Sequence, residues 1–259
     1  MSLRQMRPPA IQVIVARTDE ELCAWGLHCF VETLQQRPDA VISLTTGRTT
    51  AGLYRTVREW HARGQTNLSP ARFVSSEEYA GIGADDPISL FGWLRHEVLD
   101  PLGVSVYSAI RMSGNAADLG NECRRFDATI EQMGGVDLVI QSIGANGHFG
   151  FNEPGATRDA PSRVVTLAPS TVRSNAAYWP PDIQVPTRGL TMGVDATLRA
   201  RHILLLAAGA TKAEAIARAV QGPIDEDAPC SLLRLAPRLT IIADEAAAAR
   251  LDGAGSWHT

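Results

Sequence analysis

The residues of this chain that could do chemistry gather in four short polar clusters, and each cluster closely follows an apolar run. The clusters are Thr45-Thr46-Gly47-Arg48-Thr49, Ser76-Glu77-Glu78-Tyr79, Gly144-Ala145-Asn146-Gly147-His148 and Gly209-Ala210-Thr211-Lys212. In an open parallel sheet, ligands bind in the crevice beyond the carboxyl ends of the strands. The clusters therefore predict one ligand site at a single edge of a sheet.

The first and last clusters each form a Gly/Thr turn that leads into a predicted helix, with Arg48 or Lys212 at the helix start. A cation is unfavourable there, because the free N–H groups of the first turn already supply partial positive charge. An anion such as phosphate, bound between the two helix starts, resolves the conflict. Two ordinary turns with solvated side chains are the alternative. The Walker A spacing is absent, so the turns do not indicate a nucleoside triphosphate.

Glu77 and Glu78 are adjacent, so their side chains point in different directions and are not expected to face the same substrate atom. One of them can act as a general base while the other anchors the loop. The residues alone leave open which does which. A solvated acidic turn is the competing interpretation.

The histidine of the third cluster, His148, is followed five residues later by Glu153. A histidine held by a carboxylate is a usable proton shuttle near neutral pH. The alternative is an ordinary Asn-Gly turn beside a structural histidine. No serine occupies a G-x-S-x-G elbow, which disfavours a serine hydrolase.

The elements that must position these clusters alternate along the chain. Short and nearly continuous apolar runs occupy 11–16, 40–44, 71–75, 136–140, 163–167, 202–206 and 238–243. Such runs are typical of a parallel sheet covered on both faces. Helical patterns occupy 19–36, 119–133 and 211–220, and the first opens with Thr18 and Glu21 at capping-box spacing. The alternation predicts a doubly wound α/β fold.

Composition limits the partners and the compartment. The 259 residues carry a formal net charge of −4, and no basic stripe is available for nucleic acid or for a membrane surface, so neither partner is expected. The four scattered cysteines lack zinc-ligand spacing, which favours free thiols in a reducing cytoplasm and no metal. We expect residues 1–10 to form a flexible tail and 11–259 a single domain, with a lid-like segment at 76–114.

Three segments together resemble a known family. They are Glu77-Glu78-Tyr79-Ala80-Gly81, Gly144-x-Asn146-Gly147-His148-x-x-Phe151-Asn152-Glu153-Pro154 and Gly209-x-x-Lys212. These segments are similar to those of glucosamine-6-phosphate deaminases, and F-N-E-P is the specific part. The resemblance runs from about residue 11 to 245 and implies a three-layer α/β/α, Rossmann-like fold with a mostly parallel sheet. The family is related to 6-phosphogluconolactonases, which share the Gly-His core and typically continue differently after it.

The resemblance implies a cofactor-free conversion of an amino-sugar 6-phosphate, from glucosamine or galactosamine, to a ketose 6-phosphate with release of ammonia. It assigns ring opening to His148, supported by Asn146 and Glu153, and proton transfer between C2 and C1 to Glu77. The residues that it implies for the phosphate are Thr46, Gly47, Arg48, Thr49 and Lys212. The residues that belong to the substrate loops are Glu78, Gly147 and Arg173.

Two catalytic positions depart from the family pattern. Glu77 stands where the family usually has Asp, and a carboxylate displaced by one methylene can cost about a hundredfold in rate. Asn146 also replaces an Asp; it can orient His148 by a hydrogen bond but cannot stabilise an imidazolium by charge. Galactosamine-6-phosphate deaminase-like relatives resemble this chain in carrying Asn-Gly-His.

A third departure concerns the phosphate. Ala177 falls where the family has a phosphate-contacting Arg, and either Arg48 or Arg173 is the expected replacement.

Two other functions stay open alongside the deaminase. In a sugar-phosphate lactonase, His148 would activate water. In a non-catalytic sugar-phosphate sensor, the changes at Glu77 and Asn146 would reflect lost activity. A homo-oligomer is compatible with each of these functions.

Overall fold

The computed structural model describes residues 10–64 and 67–252. Their strands are β1 (Ala10–Ala16), β2 (Val41–Leu44), β3 (Arg72–Ser75), β4 (Glu77–Tyr79), β5 (Leu138–Ser142), β6 (Arg163–Thr166), β7 (Arg188–Thr191), β8 (His202–Ala207) and β9 (Arg238–Asp244). Six of them form a parallel sheet in the order β1-β9-β8-β5-β2-β3. The predicted tail lies outside the described residues except for Ala10, where β1 begins.

The helices of the described residues are α1 (Asp19–Gln36), α2 (Arg48–Ala62), α3 (Leu90–Leu94), α4 (Leu119–Gln132), α5 (Pro169–Ala176), α6 (Val194–Leu198), α7 (Ala213–Val220), α8 (Pro229–Leu232) and α9 (Glu245–Ala248). A π-helical turn, Arg95–Leu99, continues α3. Short 3-10 turns occupy Val106–Ser108, Ala210–Lys212 and Leu233–Leu235, and the second of them leads into α7.

The helices cover the parallel sheet on both faces. Leu204 and Leu206 of β8 belong to a buried cluster that includes side chains of α1 and α2. Ile203 and Leu205, which alternate with them, belong to the opposite cluster, with side chains of α4 and α7. Because successive side chains of a strand point to opposite faces, this division defines three layers. The predicted α/β/α fold with a mostly parallel sheet is confirmed.

Two helices follow their sequence signals closely. The side chain of Thr18 accepts a hydrogen bond from the Glu21 N–H at 3.1 Å, and α1 has the predicted bounds. The predicted stripe of α4 supplies Cys123, Phe126 and Ile130 to the core, all buried.

The prediction that 163–167 is a strand of the parallel sheet is wrong. β6 pairs antiparallel with β7, and β7 pairs antiparallel with β4, so the three strands form a separate small sheet. The residues of β6 are only half-buried or exposed, and the strand therefore needs no cover on both faces. β7 was not among the predicted strands. β4, which was not predicted as a strand either, lies at the start of the predicted lid-like segment, 76–114.

The predicted lid-like segment, 76–114, contributes to the core through α3 and the turn that follows it. Phe91, Leu94, Val98 and Leu99 are buried in the cluster that contains the side chains of α1 and α2. Movement of this segment over the site stays a prediction.

No helix within 10–64 or 67–252 combines the length and the apolar character that a membrane span requires. In the same ranges, no group of three or more His, Cys, Asp or Glu side chains is arranged to hold a metal ion. All four cysteines carry free thiols.

Candidate active site

A cavity of about 990 Å³ lies where β2, β5 and β8 end, at the carboxyl edge of the parallel sheet. All four polar clusters contribute to its wall, which places residues distant in sequence around one space. The predicted site residues that line it are Thr46, Arg48, Thr49, Glu77, Asn146, His148 and Lys212.

The neighbouring carboxylates Glu77 and Glu78 point in opposite directions from β4. The Glu78 carboxylate accepts hydrogen bonds from the Ser89 hydroxyl at 2.6 Å and from the N–H groups of Leu90 at 3.0 Å and Phe91 at 3.2 Å. These donors form the start of α3, so Glu78 anchors that helix. Glu77 lines the cavity and Glu78 does not. Of the two carboxylates, Glu77 is therefore the candidate base.

The Glu77 carboxylate is buried among uncharged donors. It accepts hydrogen bonds from the hydroxyls of Thr45 and Ser76 and from the Thr46 N–H at 3.1 Å. Thr45 is itself held by Tyr54 of α2, whose hydroxyl donates to the Thr45 carbonyl at 2.9 Å. Burial raises the pKa of Glu77, and the hydrogen bonds from Ser76, Thr45 and Thr46 offset this only in part. A carboxylate with a raised pKa is suited to take up a proton near neutral pH.

His148 is oriented by Asn146 and Glu153. The Asn146 amide nitrogen donates to Glu153 Oε2 at 2.8 Å, so the amide oxygen faces the histidine. That oxygen lies 2.6 Å from His148 Nδ1, and Glu153 Oε2 lies 3.5 Å from the same nitrogen. Because both neighbours are acceptors, the network assigns the proton to Nδ1 and leaves Nε2 to act on a ligand. The ring also packs over Gly144, where a Cβ would lie 2.2 Å from Cε1.

Glu153 remains ionised at neutral pH. Burial raises its pKa, but hydrogen bonds from His148, Thr171 and Asn146, together with the charge of His148, outweigh burial and hold the pKa at about 2. The carboxylate also accepts the Ala168 N–H at 3.1 Å, at the start of α5. One negative charge thus supports both the histidine and a helix end.

Thr171 is a site residue that the sequence reasoning missed. Its side chain is buried in α5, its hydroxyl lies 3.3 Å from His148 Nδ1, and it also hydrogen-bonds Glu153. The only local signal is a hydroxyl residue in the first turn of a short helix that begins at Pro169. Such a residue acquires a role only when α5 is packed beside the histidine.

The candidate anion site lies between the starts of α2 and α7. Gly47 is the N-cap of α2 and provides no side-chain cap for the first-turn N–H groups. The Thr46 Oγ1 atom is buried and has no hydrogen-bond partner among the described residues. Burial lowers the pKa of Lys212, and the positive charge of Arg48 lowers it further. Two cations, free N–H groups and an unpartnered hydroxyl favour an anion here.

Five of the predicted residues do not line the cavity, namely Gly47, Glu78, Gly147, Glu153 and Arg173. Arg173 is exposed and lies away from the face of α5 that contributes Ser170, Thr171 and Ser174 to the wall. Of the two expected replacements for the family Arg, only Arg48 reaches the cavity, which Ala177 also lines. Glu78 anchors α3, as described above.

Gly47 and Gly147 contribute to the candidate site through the conformation of their backbone rather than through a side chain. Gly147 has φ 89°, a left-handed conformation that favours glycine, and a Cβ there would lie 3.1 Å from Cys230 Sγ. This turn delivers Asn146 and His148 to the cavity. At Gly47, a Cβ would lie 3.2 Å from Ser142 Oγ, beside the start of α2.

The arrangement is that of an α/β enzyme with a candidate anion site beside a candidate acid–base pair. Residues 16–241 match the family described as glucosamine-6-phosphate isomerases/6-phosphogluconolactonase, and the chain belongs to this family.

The proteins to which this chain is similar show two degrees of similarity. The protein named glucosamine-6-phosphate deaminase in Geobacillus sp. (strain WCH70) is 36% identical over 235 residues, which cover 91% of this chain and 94% of the relative. The protein of the same name in Streptomyces coelicolor is 38% identical over 237 residues, which cover 91% of this chain and 90% of the relative. The solved structure of a monomeric glucosamine-6-phosphate deaminase superposes with a TM-score of 0.88 at 36% identity, covering 92% of this chain and 99% of that one. The 6-phosphogluconolactonase of Trypanosoma cruzi shares the fold, with a TM-score of 0.76 at 18% identity over 96% of this chain and 100% of its own.

Proposed function

We propose that the protein is a deaminating aldose–ketose isomerase, which converts glucosamine-6-phosphate or galactosamine-6-phosphate and water to a ketose 6-phosphate and ammonia. The observation that carries this proposal is the placement of Glu77, a buried carboxylate that opens into the cavity shared with His148 and the anion site. Isomerisation requires removal of a carbon-bound proton, and a positioned base supplies that step. The names of the relatives support the substrate class.

The anion site would hold the 6-phosphate. Arg48 and Lys212 supply positive charge, and the first-turn N–H groups of α2 and the Thr46 hydroxyl supply hydrogen bonds. Binding energy from the phosphate, which does not react, orients the sugar toward His148 and Glu77.

Ring opening is the first chemical step in this proposal. His148 Nε2 takes the proton of the C1 hydroxyl and returns it to the ring oxygen as the bond between C1 and that oxygen breaks. The ionised Glu153 stabilises the imidazolium that forms between the two transfers. Asn146 keeps the ring in position and leaves the charge compensation to Glu153.

Isomerisation follows on the open chain. Glu77 removes the C2 proton, and the electron pair of that bond enters the C1–C2 double bond. The 2-ammonium group of the substrate gives a proton to the C1 oxygen, which yields a neutral enolamine. Glu77 then delivers the proton to C1 and leaves an iminium at C2. Water adds to C2 and ammonia leaves, so one water is consumed for each ammonia released.

An ammonia assay with purified protein tests the proposal. We expect ammonia release from at least one of the two amino-sugar 6-phosphates, and no release from either would contradict the proposal. Hydrolysis of 6-phosphogluconolactone without ammonia release would instead identify the lactonase alternative, in which Glu77 has no evident task. Sugar-phosphate binding without either reaction would identify a sensor.

Two further expectations stay proposals. The four free thiols support a location in the reducing cytoplasm. A homo-oligomeric assembly is tested by light scattering of the purified protein.

A further inference from the structure

The two oxygens of the Glu77 carboxylate have different surroundings. Oε1 accepts hydrogen bonds from the Thr45 hydroxyl and from the Thr46 N–H at 3.1 Å. Oε2 accepts one hydrogen bond within the described part of the chain, from the Ser76 hydroxyl. Oε2 also faces Gly150 of the cavity wall, where a Cβ would lie 3.3 Å from it. Oε2 is therefore the oxygen that is free to take up a proton from a bound sugar.

Ser76 has one hydroxyl hydrogen and two acceptors within reach. Its Oγ contacts Glu77 Oε2 and also lies 2.9 Å from the carbonyl oxygen of Leu44. The Leu44 carbonyl additionally accepts the Ser76 N–H at 3.2 Å, so it keeps a hydrogen bond wherever the hydroxyl points. Ser76 is fully buried, and its own carbonyl accepts the Met192 N–H at 2.7 Å. The backbone of Ser76 is thus held while its hydroxyl can turn.

We propose that Ser76 is a positioning residue whose hydroxyl follows the protonation state of Glu77. While Glu77 is ionised, the Ser76 O–H donates to Oε2. When the C2–H bond breaks and the Oε2–H bond forms, the Ser76 O–H turns to the Leu44 carbonyl, and the Ser76 oxygen accepts the new proton. Oε2 then gives this proton to C1, and the hydroxyl returns. Ser76 acts in this way within the proposed isomerisation, on which the inference rests.

A donor that turns can stabilise both forms of the base, but not equally. A hydrogen bond to an ionised carboxylate is roughly twice as strong as one between neutral groups. Removing the hydroxyl therefore destabilises the ionised form more than the protonated form. Ser76→Ala should raise the pKa at which Glu77 becomes active as a base.

Ser76→Ala leaves the other charged and titratable groups around Glu77 chemically unchanged. Glu78 and Tyr79 belong to the same strand, and Tyr54 faces Glu77 from α2. The groups across the cavity are His148, Arg48 and Lys212.

The test is the pH dependence of kcat/KM for ammonia release, whose acid limb reports the base of the free enzyme. In Ser76→Ala we expect the acid limb to move up by about one pH unit, which lowers kcat/KM by about tenfold on the acid side. KM at alkaline pH should stay near the wild-type value. Ser76→Thr keeps the hydroxyl and should restore the wild-type limb.

Ser75→Ala is the matched control. Ser75 is the buried neighbour of Ser76, and its hydroxyl donates to the backbone carbonyl of Glu77 at 3.3 Å rather than to the carboxylate. We expect its acid limb at the wild-type position. An equal shift in Ser75→Ala, or no shift in a folded Ser76→Ala, overturns the inference.

Three further outcomes can be distinguished from one another. If Ser76→Ala does not fold, Ser76→Cys, whose thiol is a weaker donor, should shift the limb in the same direction by less, and an unmoved limb overturns the inference. A wild-type protein without ammonia release overturns the proposed function and this role of Ser76 with it. An active wild type with an unmoved limb in the variants overturns the role of Ser76 alone.

Discussion

The two edges of the parallel sheet each hold a buried carboxylate, and the two carboxylates differ in whether a charged partner lies beside them. Asp137 precedes β5 at the amino edge and is paired with Arg37 at 3.2 Å and Arg201 at 3.0 Å. Glu77 lies at the carboxyl edge among uncharged donors, and no Lys or Arg of the described ranges forms an ion pair with it. At the amino edge, two arginines compensate the charge of the Asp137 carboxylate. At the carboxyl edge, Glu77 has no ion-pair partner among the described residues, which is the arrangement that the proposed base requires.

The histidines at the two edges differ in the same way. His202 begins β8 and contacts the Thr240 hydroxyl at 2.9 Å, and burial together with the charge of Arg238 lowers its pKa to about 4. His148 also has a threonine hydroxyl nearby, but an ionised carboxylate lies 3.5 Å from its Nδ1. Both histidines contact a threonine, so the adjacent carboxylate and the access to a cavity distinguish His148, the candidate proton shuttle.

Removing the two carboxylates should separate activity from stability. Glu77→Gln keeps the shape but cannot accept the C2 proton, and we expect kcat for ammonia release to fall about a thousandfold. Asp137→Asn should leave kcat within about twofold and lower the free energy of unfolding by roughly 1–2 kcal/mol, a value reduced by the exposure of both arginines. Steady-state kinetics and urea unfolding of both variants give the result. A Glu77→Gln enzyme of near wild-type kcat would remove the distinction between the edges.

Acid should destabilise the fold through His202. The unfolded chain takes up a proton near the ordinary histidine pKa of about 6.5, whereas folded His202 resists until its pKa of about 4. Stability from this residue is therefore complete above pH 6.5 and is lost as the pH falls toward 4, amounting to about 2 kcal/mol between pH 6.5 and pH 5. Urea unfolding at both pH values should show a smaller decrease for His202→Gln. Equal decreases in both proteins would contradict the assignment.

Glu153 loses its contribution to stability at a lower pH than His202 does. Its folded pKa of about 2 lies below the ordinary glutamate pKa of 4.5, so its contribution to stability is present above pH 4.5 and is lost as the pH falls toward 2. Above pH 5, therefore, only His202 loses its contribution to stability as the pH falls.

The two threonine contacts give the smallest expected effect. Thr171→Val removes a hydroxyl donor from the network of Glu153 and His148, and we expect kcat to fall about tenfold. Thr240→Val removes the corresponding contact of His202 and should lower stability while kcat stays unchanged. Steady-state kinetics and thermal unfolding of Thr171→Val and Thr240→Val test this difference. Equal kcat values in the two variants would show that Thr171 has only a structural role.

Much of the fold could be predicted because its signals are local. The capping residues of α1, the apolar stripe of α4 and the continuous apolar runs of the parallel strands each depend on neighbours within a few residues. The antiparallel sheet could not be predicted in this way. β6 has the same apolar composition as a short parallel strand, and only its pairing with β7 shows where it lies. Thr171 escaped notice for the same reason, since its partners His148 and Glu153 come from another part of the chain. The sequence places Ser76 in a polar cluster but indicates no role for it, because its second acceptor, the Leu44 carbonyl, belongs to β2.

The sequence alone determined the layers of the fold and the order in which the polar clusters follow the strands, because hydrophobic periodicity and helix capping act over short distances. It also identified Arg48 and Lys212 as cations at helix starts. Only the tertiary structure favours Glu77 over Glu78 as the candidate base, because Glu77 lines the cavity and Glu78 anchors α3. Adjacent side chains of a strand point to opposite sides, and the side that faces the cavity depends on where β7 and α3 pack against β4. The choice of base is thus a consequence of long-range packing.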